Sequence, residues 1–547
     1  MSVVRYAVVL AILCAGLCGP ATIEGAAPVS ADAPPYQLAV ARSMEKVQRE
    51  GQYDGKLGST LRLELARNEY GGAQIVVANV TRDVHGLRAE ASPLRSAKGT
   101  IPASCVTVRQ VGYVHTVKCD AYPQTRIGLW PDPLLELPQV DVPAGKVQPL
   151  WVTIHVPKEA PAGEYRGTIT LRADDAPATR VEVMAKVWDV TLPERPKFRA
   201  MALDGPRTDA AYDLLLAHRM SPAYALCGWS WDRPQPPVVR RDDGAWDFSA
   251  ADQIAEHCVP RGMNAFVISH APKPGKYGFP EDYSAEYRAR FAEFLKAYTD
   301  HLRAKGWLKL GMTYNIDEAA PKLWDLCKEN YRQAKAIAPD VPMMQCLNEP
   351  KGVAALAGFA DIWDVYITQF QQAGVPARMQ AGDQGWFAIC CYPATHPNLF
   401  TDYPALDARM VGWLSWKAGV SGFEYWSASS WGENPTRLAK GYLDEIESDW
   451  QANTFGKYNG DGYLMYPGPE GKLLSSIRLE NLRDGFQDWE LLAMLKERGG
   501  PRAAELLRLD GLCQDDMSFT NDPEVLLAQR HQVLAALAAT APPGRGG

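Results

Sequence analysis

Eight short apolar runs dominate the middle of this 547-residue chain: Phe198–Leu203, Pro222–Leu226, Ala265–Ile268, Leu308–Tyr314, Pro342–Leu347, Ile362–Ile367, Trp386–Cys391 and Gly422–Trp426. Between several of them, apolar residues recur at the spacing of one helix face. Tyr287, Phe291, Phe294, Leu295, Tyr298 and Leu302 do so closely, and Leu323, Leu326, Tyr331 and Ile337 less perfectly. Eight strand–helix units over about 250 residues is the size of a (β/α)8 barrel. An α/β fold with a TIM-type (β/α)8 barrel over residues 196–450 is therefore expected.

Upstream the pattern is different. Between Leu57 and Val190, short runs such as Leu61–Leu65, Ala73–Val80, Leu150–Val156, Gly167–Leu171 and Val181–Val187 are punctuated by Pro143-Ala144-Gly145 and Pro161-Ala162-Gly163. Several alternate apolar with polar residues, the mark of half-buried antiparallel strands, and predict an N-terminal β-sandwich domain over 28–195. The Pro-bearing stretch Leu192–Pro196 then reads as a linker. Residues 451–540 read as a helical C-terminal part with one aromatic, Gly-rich interruption near 460–468, and 541–547 as a disordered tail.

The fourth apolar run ends in Tyr314-Asn315-Ile316-Asp317-Glu318. Two carboxyls held together cannot both ionise cheaply, so one tends to keep its proton while the other carries charge. That pairing suits acetal cleavage, in which one acid protonates a leaving oxygen and the other stabilises developing positive charge. Asp-Glu followed by Ala319-Ala320-Pro321 also fits a helix start. Placement at the C-terminal end of a barrel strand, where active sites of such barrels gather, favours catalysis. Neighbours on a regular strand point to opposite faces, so irregular backbone near Ile316 is required for both acids to share a pocket.

A net charge of −7 with no basic run argues against nucleic acid as a partner. Sixteen Trp and 23 Tyr supply flat faces suited to sugar rings as well as to cores. Arg5, the apolar run Tyr6–Leu17, small residues and Pro20 follow the order of a signal peptide, too short for a membrane span, and 1–27 is assigned to it. Export to the cell surface, periplasm or exterior is expected. Lipid anchoring is the lesser alternative, since the residues before Cys14 and Cys18 fit a lipoprotein cleavage site poorly. The nine later cysteines lack paired CxxC spacing and form neither a zinc site nor a dense disulfide scaffold. Cys105 and Cys119 are candidates to bridge two strands, and Cys390-Cys391 is expected in a buried strand.

The segments Asp461–Gly468 and Ser476–Glu490 resemble the C-terminal signature of glycoside hydrolase family 123. Gly422–Trp426 is similar to that family's last barrel strand, and Ala66–Glu69 with Trp151–Gly167 to its front domain. The resemblance covers roughly residues 57 to 490. It implies a retaining, exo-acting β-N-acetylgalactosaminidase-like enzyme in which the substrate's own 2-acetamido group is the nucleophile. Glu318 is then the general acid and later the base, and Asp317 orients and stabilises the acetamido group; the substrate is a glycan, and no metal or cofactor is needed. The alternatives are another glycosidase specificity on the same scaffold, with Glu424 as nucleophile, and a non-catalytic carbohydrate-binding surface protein.

Among other candidates, His270 at the end of the third strand, Tyr366 and Tyr392 at the sixth and seventh, and Trp386 and Trp426 in or at the ends of the seventh and eighth are assigned to substrate binding. Asn264 is a weaker candidate than His270, and Trp413 and Trp416 are assigned to helix packing. Glu424 is either a further pocket carboxylate or, by preference, half of a buried ion pair. Arg478, Glu480, Arg483, Asp484 and Asp488 are read as structural, a paired, solvated or interdomain face.

Overall fold

The structure is a computed structural model that describes residues 33–230, 233–273, 284–431, 438–515 and 517–539. The expected export segment, 1–27, and the tail, 541–547, lie outside the described residues. No helix among the described residues is long and apolar enough to cross a membrane.

The N-terminal region is built from two mainly antiparallel sheets. Thr179–Thr191 is a strand because Val181, Val183, Ala185 and Val187 recur at every second position, and all four are buried. It joins Thr60–Arg67, Gly163–Arg172, Val84–Ala91, Val140–Val142 and two short strands in a seven-stranded sheet. The six-stranded sheet holds Gln37–Arg42, Glu69–Ala78, Val106–Thr116, Gly128–Leu135 and Gln148–Val156, with Glu447–Gln451 added from far along the chain. Leu61, Val183 and Ile169 of one sheet share a core with Ile75, Val77 and Val152 of the other. Alternation fails in Glu69–Ala78 and Gln148–Val156, which are buried along nearly their whole length. The second face of that sheet is also covered, since Val111, Leu134 and Trp151 pack with Ala405 and Ile477.

The C-terminal region carries a parallel sheet in the order Ser221–Pro222, Arg199–Asp204, Gly422–Ser427, Gln384–Ile389, Ile362–Tyr366, Met343–Leu347, Gly311–Tyr314, Phe266–His270, Trp229–Ser230. Arg233–Pro234 adds one antiparallel strand at the end. Seven of the eight expected runs give strands, but a closed (β/α)8 barrel is not shown; the sheet is an open half-barrel. The reason lies in the second run, where Pro222 lacks the N–H a ladder needs and Ala223–Leu226 turns as a 3-10 helix. Residues 221–230 therefore give two fragments in place of one full strand, Ser221–Pro222 at one edge of the sheet and Trp229–Ser230 beside Arg233–Pro234 at the other. Helix Ala285–Ala304 buries Phe291, Phe294, Leu295, Tyr298 and Leu302, the stripe its periodicity predicts, and the Ser284 side chain caps it.

Helix Ile477–Arg498 lies against helix Ala405–Ala418 so closely that a Cβ on Gly412 would sit 1.9 Å from the Gly485 carbonyl oxygen. Its charged residues from Arg478 to Asp488 are buried and paired, not solvated. Arg478 holds Asp132, Glu480 takes Arg109 at 2.6 Å and Arg483 at 2.7 Å, and Asp488 sits between Arg409 at 2.9 Å and Arg530 at 2.7 Å. Arg530 also pairs with Glu69. Arg109 on Val106–Thr116, Asp132 on Gly128–Leu135 and the Tyr70 backbone on Glu69–Ala78, which donates to Gln487 at 2.9 Å and accepts from it at 2.8 Å, make this helix the tie between the two sheet regions.

Candidate active site

Strand Gly311–Tyr314 stops where the sequence changes from apolar to polar, and Asn315 fixes the exit. Its amide donates to the Cys327 carbonyl at 3.1 Å, while its oxygen accepts from the Ile316 N–H at 3.0 Å. The chain then turns through 316–318, with Glu318 in the left-handed region at φ 45°. A bulky non-glycine residue there carries strain, of the kind that clusters at functional sites. The turn supplies the irregular backbone that two adjacent acids on one face require.

Each acid has its own tyrosine. The Tyr314 hydroxyl donates to Asp317 Oδ1 at 3.2 Å, and the Tyr366 hydroxyl donates to Glu318 Oε1 at 2.8 Å. Both acids keep a solvent-facing side, yet protein closes around the Asp317 carboxyl, and this enclosure, followed by the charge of Glu318, raises its pKa. Tyr314, Cys346 and Lys273 oppose that rise without cancelling it. Behind Tyr314 stands His270, 1% exposed, its Nε2 2.7 Å from the Tyr224 hydroxyl and its ring 5.0 Å from that of Tyr314. Burial pushes the His270 pKa down to about 3, so it is a neutral support.

Under the turn lie Asp364, Glu424 and Cys346, all buried, their ligand atoms within 4.8 Å of one another. The ion pair expected for Glu424 is not found among the described residues; its neighbour is a second acid. Register explains the meeting, since Glu424 pairs with Ala388 of the next strand and Asp364 with Trp386 of the same strand, bringing two inward acids together. Burial raises Asp364 to about 6, and burial and then Asp364 raise Glu424 well above the carboxylate range. Two buried carboxyls this close titrate as a pair.

A family profile for the glycoside hydrolase 123 catalytic domain matches residues 273–495, and one for the glycoside hydrolase 123 N-terminal domain matches residues 47–173. The chain belongs to glycoside hydrolase family 123. A solved family 123 enzyme from Clostridium perfringens, analysed for the details of glycolipid glycan hydrolysis, shares the fold with a TM-score of 0.66 at 14% identity, over 92% of this chain and 98% of its own. A family 39 glycoside hydrolase from the gut symbiont Bacteroides cellulosilyticus is much more distant, with a TM-score of 0.33 at 13% identity over 79% of this chain and 82% of its own. No curated protein matches the chain by sequence.

Most of the aromatic candidates gather near the two acids. Tyr366 lies 5.8 Å from the ring of Tyr392, which is 54% exposed at the rim. Trp426 is half-buried, donates to Asp461 Oδ1 at 3.1 Å and meets Phe455 edge-on at 5.7 Å. Trp386 is a correction. It is fully buried at the N-terminal half of its strand, in the sheet's inner core with Met312, Met344 and Ile362, and Arg199 lies 5.4 Å from its ring. Position in a strand did not reveal that it points into a layer below the cleft. Asn264 serves backbone at the opposite strand ends, donating to the Pro196 and Phe198 carbonyls. Trp413 and Trp416 pack helices, Trp413 donating to Asp488 at 2.9 Å. Cys105 and Cys119 are free, and Cys390-Cys391 follows the strand, which ends at Ile389, and is only half-buried.

Tyr224 bonds His270, Cys390 bonds Tyr366 with Cys391 beside it, and Asp461 and Phe455 contact Trp426; none of these five was singled out for the site from sequence. Asp461 carried one signal, as a lone acid opening the Gly-rich, aromatic interruption. It is buried, and that burial raises its pKa to about 7.

Proposed function

We propose that this glycosidase removes terminal β-N-acetylgalactosamine-type sugars from glycans by a retaining, substrate-assisted mechanism. The observation that carries the reading is the placement of both acids on one turn, each oriented by a separate tyrosine. In the usual retaining arrangement two carboxyls face each other across the sugar, about 5–5.5 Å apart. Acids adjacent on one turn approach from the same side and leave the attack on the anomeric carbon to the substrate.

In this scheme Asp317 accepts the acetamido N–H and turns the acetamido carbonyl oxygen toward the anomeric carbon. Glu318 gives its proton to the glycosidic oxygen as that bond breaks and the carbonyl oxygen bonds to carbon. Glu318 then takes a proton from water, which opens the cyclic intermediate from the side of the departed group and regenerates both the acetamide and the acid. His270 and Tyr314 back Asp317, while Tyr366, Tyr392 and Trp426 offer the hydroxyl and ring faces that hold a sugar. Glu424 fits the nucleophile of the rival scheme poorly, because it is buried beneath the turn against Asp364.

The Clostridium perfringens enzyme's link to glycolipid glycans makes a glycolipid headgroup a reasonable natural substrate class. Export through residues 1–27 fits that reading, as does a β-sandwich over 28–195 preceding barrel-like catalytic units over 196–450 and the helical 451–540 segment. Hydrolysis of aryl β-N-acetylgalactosaminide, β-N-acetylglucosaminide, β-galactoside and α-linked controls tests the proposal. Turnover confined to 2-acetamido sugars and lost in Glu318→Gln and Asp317→Asn supports it; turnover of a sugar without that group refutes the assisted mechanism.

A further inference from the structure

Two thiols and a carboxylate converge beside Tyr366 and Trp426. Strand Gln384–Ile389 ends just before Cys390, and the sulfurs of Cys390 and Cys391 lie 3.4 Å apart. Asp461 comes from a separate loop, and the ligand atoms of all three residues fall within 4.8 Å of one another. Asp461 Oδ1 accepts from Trp426 at 3.1 Å and from the Tyr425 hydroxyl at 3.4 Å, whereas its Oδ2 is buried with no hydrogen-bond partner. Leaving such an oxygen without a donor is costly, and a cation placed against it removes the cost. The thiols are half-buried while Asp461 is sealed, so an ion entering from solvent meets sulfur first and the carboxylate behind it.

We propose that Cys390, Cys391 and Asp461 form a binding site for one thiophilic divalent cation of the zinc or cadmium type, and that its occupancy blocks hydrolysis at the neighbouring Glu318. Two sulfurs and one carboxylate oxygen are a donor set that selects such ions over magnesium or calcium, and three protein ligands leave a fourth position for water. With metal–sulfur bonds of about 2.3 Å in a tetrahedral arrangement, the sulfurs stand roughly 3.8 Å apart, so the present pair needs only a small opening. On binding, both thiols release their protons to solvent as two metal–sulfur bonds form.

The blocking step follows from one hydrogen-bond chain. The Cys390 thiol donates to the Tyr366 hydroxyl at 3.2 Å, which in turn donates to Glu318 at 2.8 Å. A metal-bound thiolate has no proton to give and can only accept, so the Tyr366 hydroxyl is drawn toward sulfur and away from Glu318. The charge of Glu318 is also felt at Cys391, which places the cation within electrostatic reach of the acid. This half of the proposal rests on Glu318 being the catalytic acid; the ligand assignment does not.

The test is a cadmium chloride titration of the reduced full chain, followed by cadmium–thiolate charge-transfer absorption, with hydrolysis measured in parallel. One equivalent should saturate the band, and Cys391→Ser should lose about half its intensity and at least tenfold in affinity. Inhibition should track the band, be reversed by a chelator and move to at least tenfold higher cadmium in Cys391→Ser, whose metal-free activity should equal that of wild type. No band saturating at one equivalent, or a band unchanged by Cys391→Ser, overturns the site. A saturating band with unaltered hydrolysis overturns the blocking step. Failure of the catalytic reading itself shows separately, as activity retained by Glu318→Gln.

Discussion

Replacing Arg478 with Met tests whether the buried ion pair on helix Ile477–Arg498 ties the sheets to the site. Arg478 is 1% exposed and Asp132 fully buried; Nε and Nη2 reach Asp132 Oδ2 at 2.9 and 2.8 Å, while Nη1 donates to the carbonyls of Leu399 at 2.8 Å and Gly460 at 2.6 Å. The variant strands the Asp132 charge with the Tyr466 hydroxyl as its remaining close donor and frees the backbone just before Asp461. Removing one partner of a buried pair costs about 3–5 kcal/mol. Urea unfolding of Arg478→Met, Asp132→Asn and the double variant should give single losses of that size, with the double close to either single. The coupling energy is then about 3–5 kcal/mol. The pH dependence has a definite sign. Burial raises the Asp132 pKa, but Arg478 and then Lys46 outweigh it and leave the folded value below the ordinary one of about 3.9. The pair's contribution is therefore complete above about pH 4 and disappears as pH falls through the lower folded value. Single losses that add within about 0.5 kcal/mol in the double variant would refute the reasoning.

Tyr314→Phe removes a donor that favours ionised Asp317, so the already raised pKa should climb further and the acidic limb of kcat/KM should move to higher pH; a limb that stays or moves down contradicts the assignment. Gly412→Ala drives a methyl into the Gly485 carbonyl and should destabilise by about 3 kcal/mol or more, read from soluble yield and the unfolding midpoint; a wild-type midpoint would mean the helices pack otherwise. Trp386→Ala should cost about 3–5 kcal/mol of stability with KM unchanged in the folded fraction. Tyr392→Ala should raise KM and leave stability within about 0.5 kcal/mol, and the reverse pattern would exchange their roles.

Local pattern made much of the site legible. The acids, their strand and the need for a turn at Ile316 follow from neighbours in sequence, and the helix stripe from Phe291 to Leu302 follows from its period. Depth along a strand did not: Trp386 and Tyr366 both lie in inward-facing strands, but one sits in the core layer and the other at the cleft. Glu424 was misread because its partner, Asp364, lies 60 residues away on a strand not adjacent in the sheet order, a proximity fixed only by register. The charges of Ser476–Glu490 could be recognised as structural, but their burial depends on partners in the N-terminal sheets, which no local spacing encodes. The second apolar run failed as a strand at Pro222, where ladder hydrogen bonding overrode apolar content.

The most direct test of the acetamido nucleophile is a series of aryl N-acetylgalactosaminides bearing acetamido, monofluoro-, difluoro- and trifluoroacetamido groups. Each fluorine withdraws electrons from the carbonyl oxygen that Asp317 is proposed to aim at the anomeric carbon. The account predicts a steep, progressive fall in kcat/KM along the series, while a rate insensitive to fluorine would contradict it and return the nucleophile to the protein.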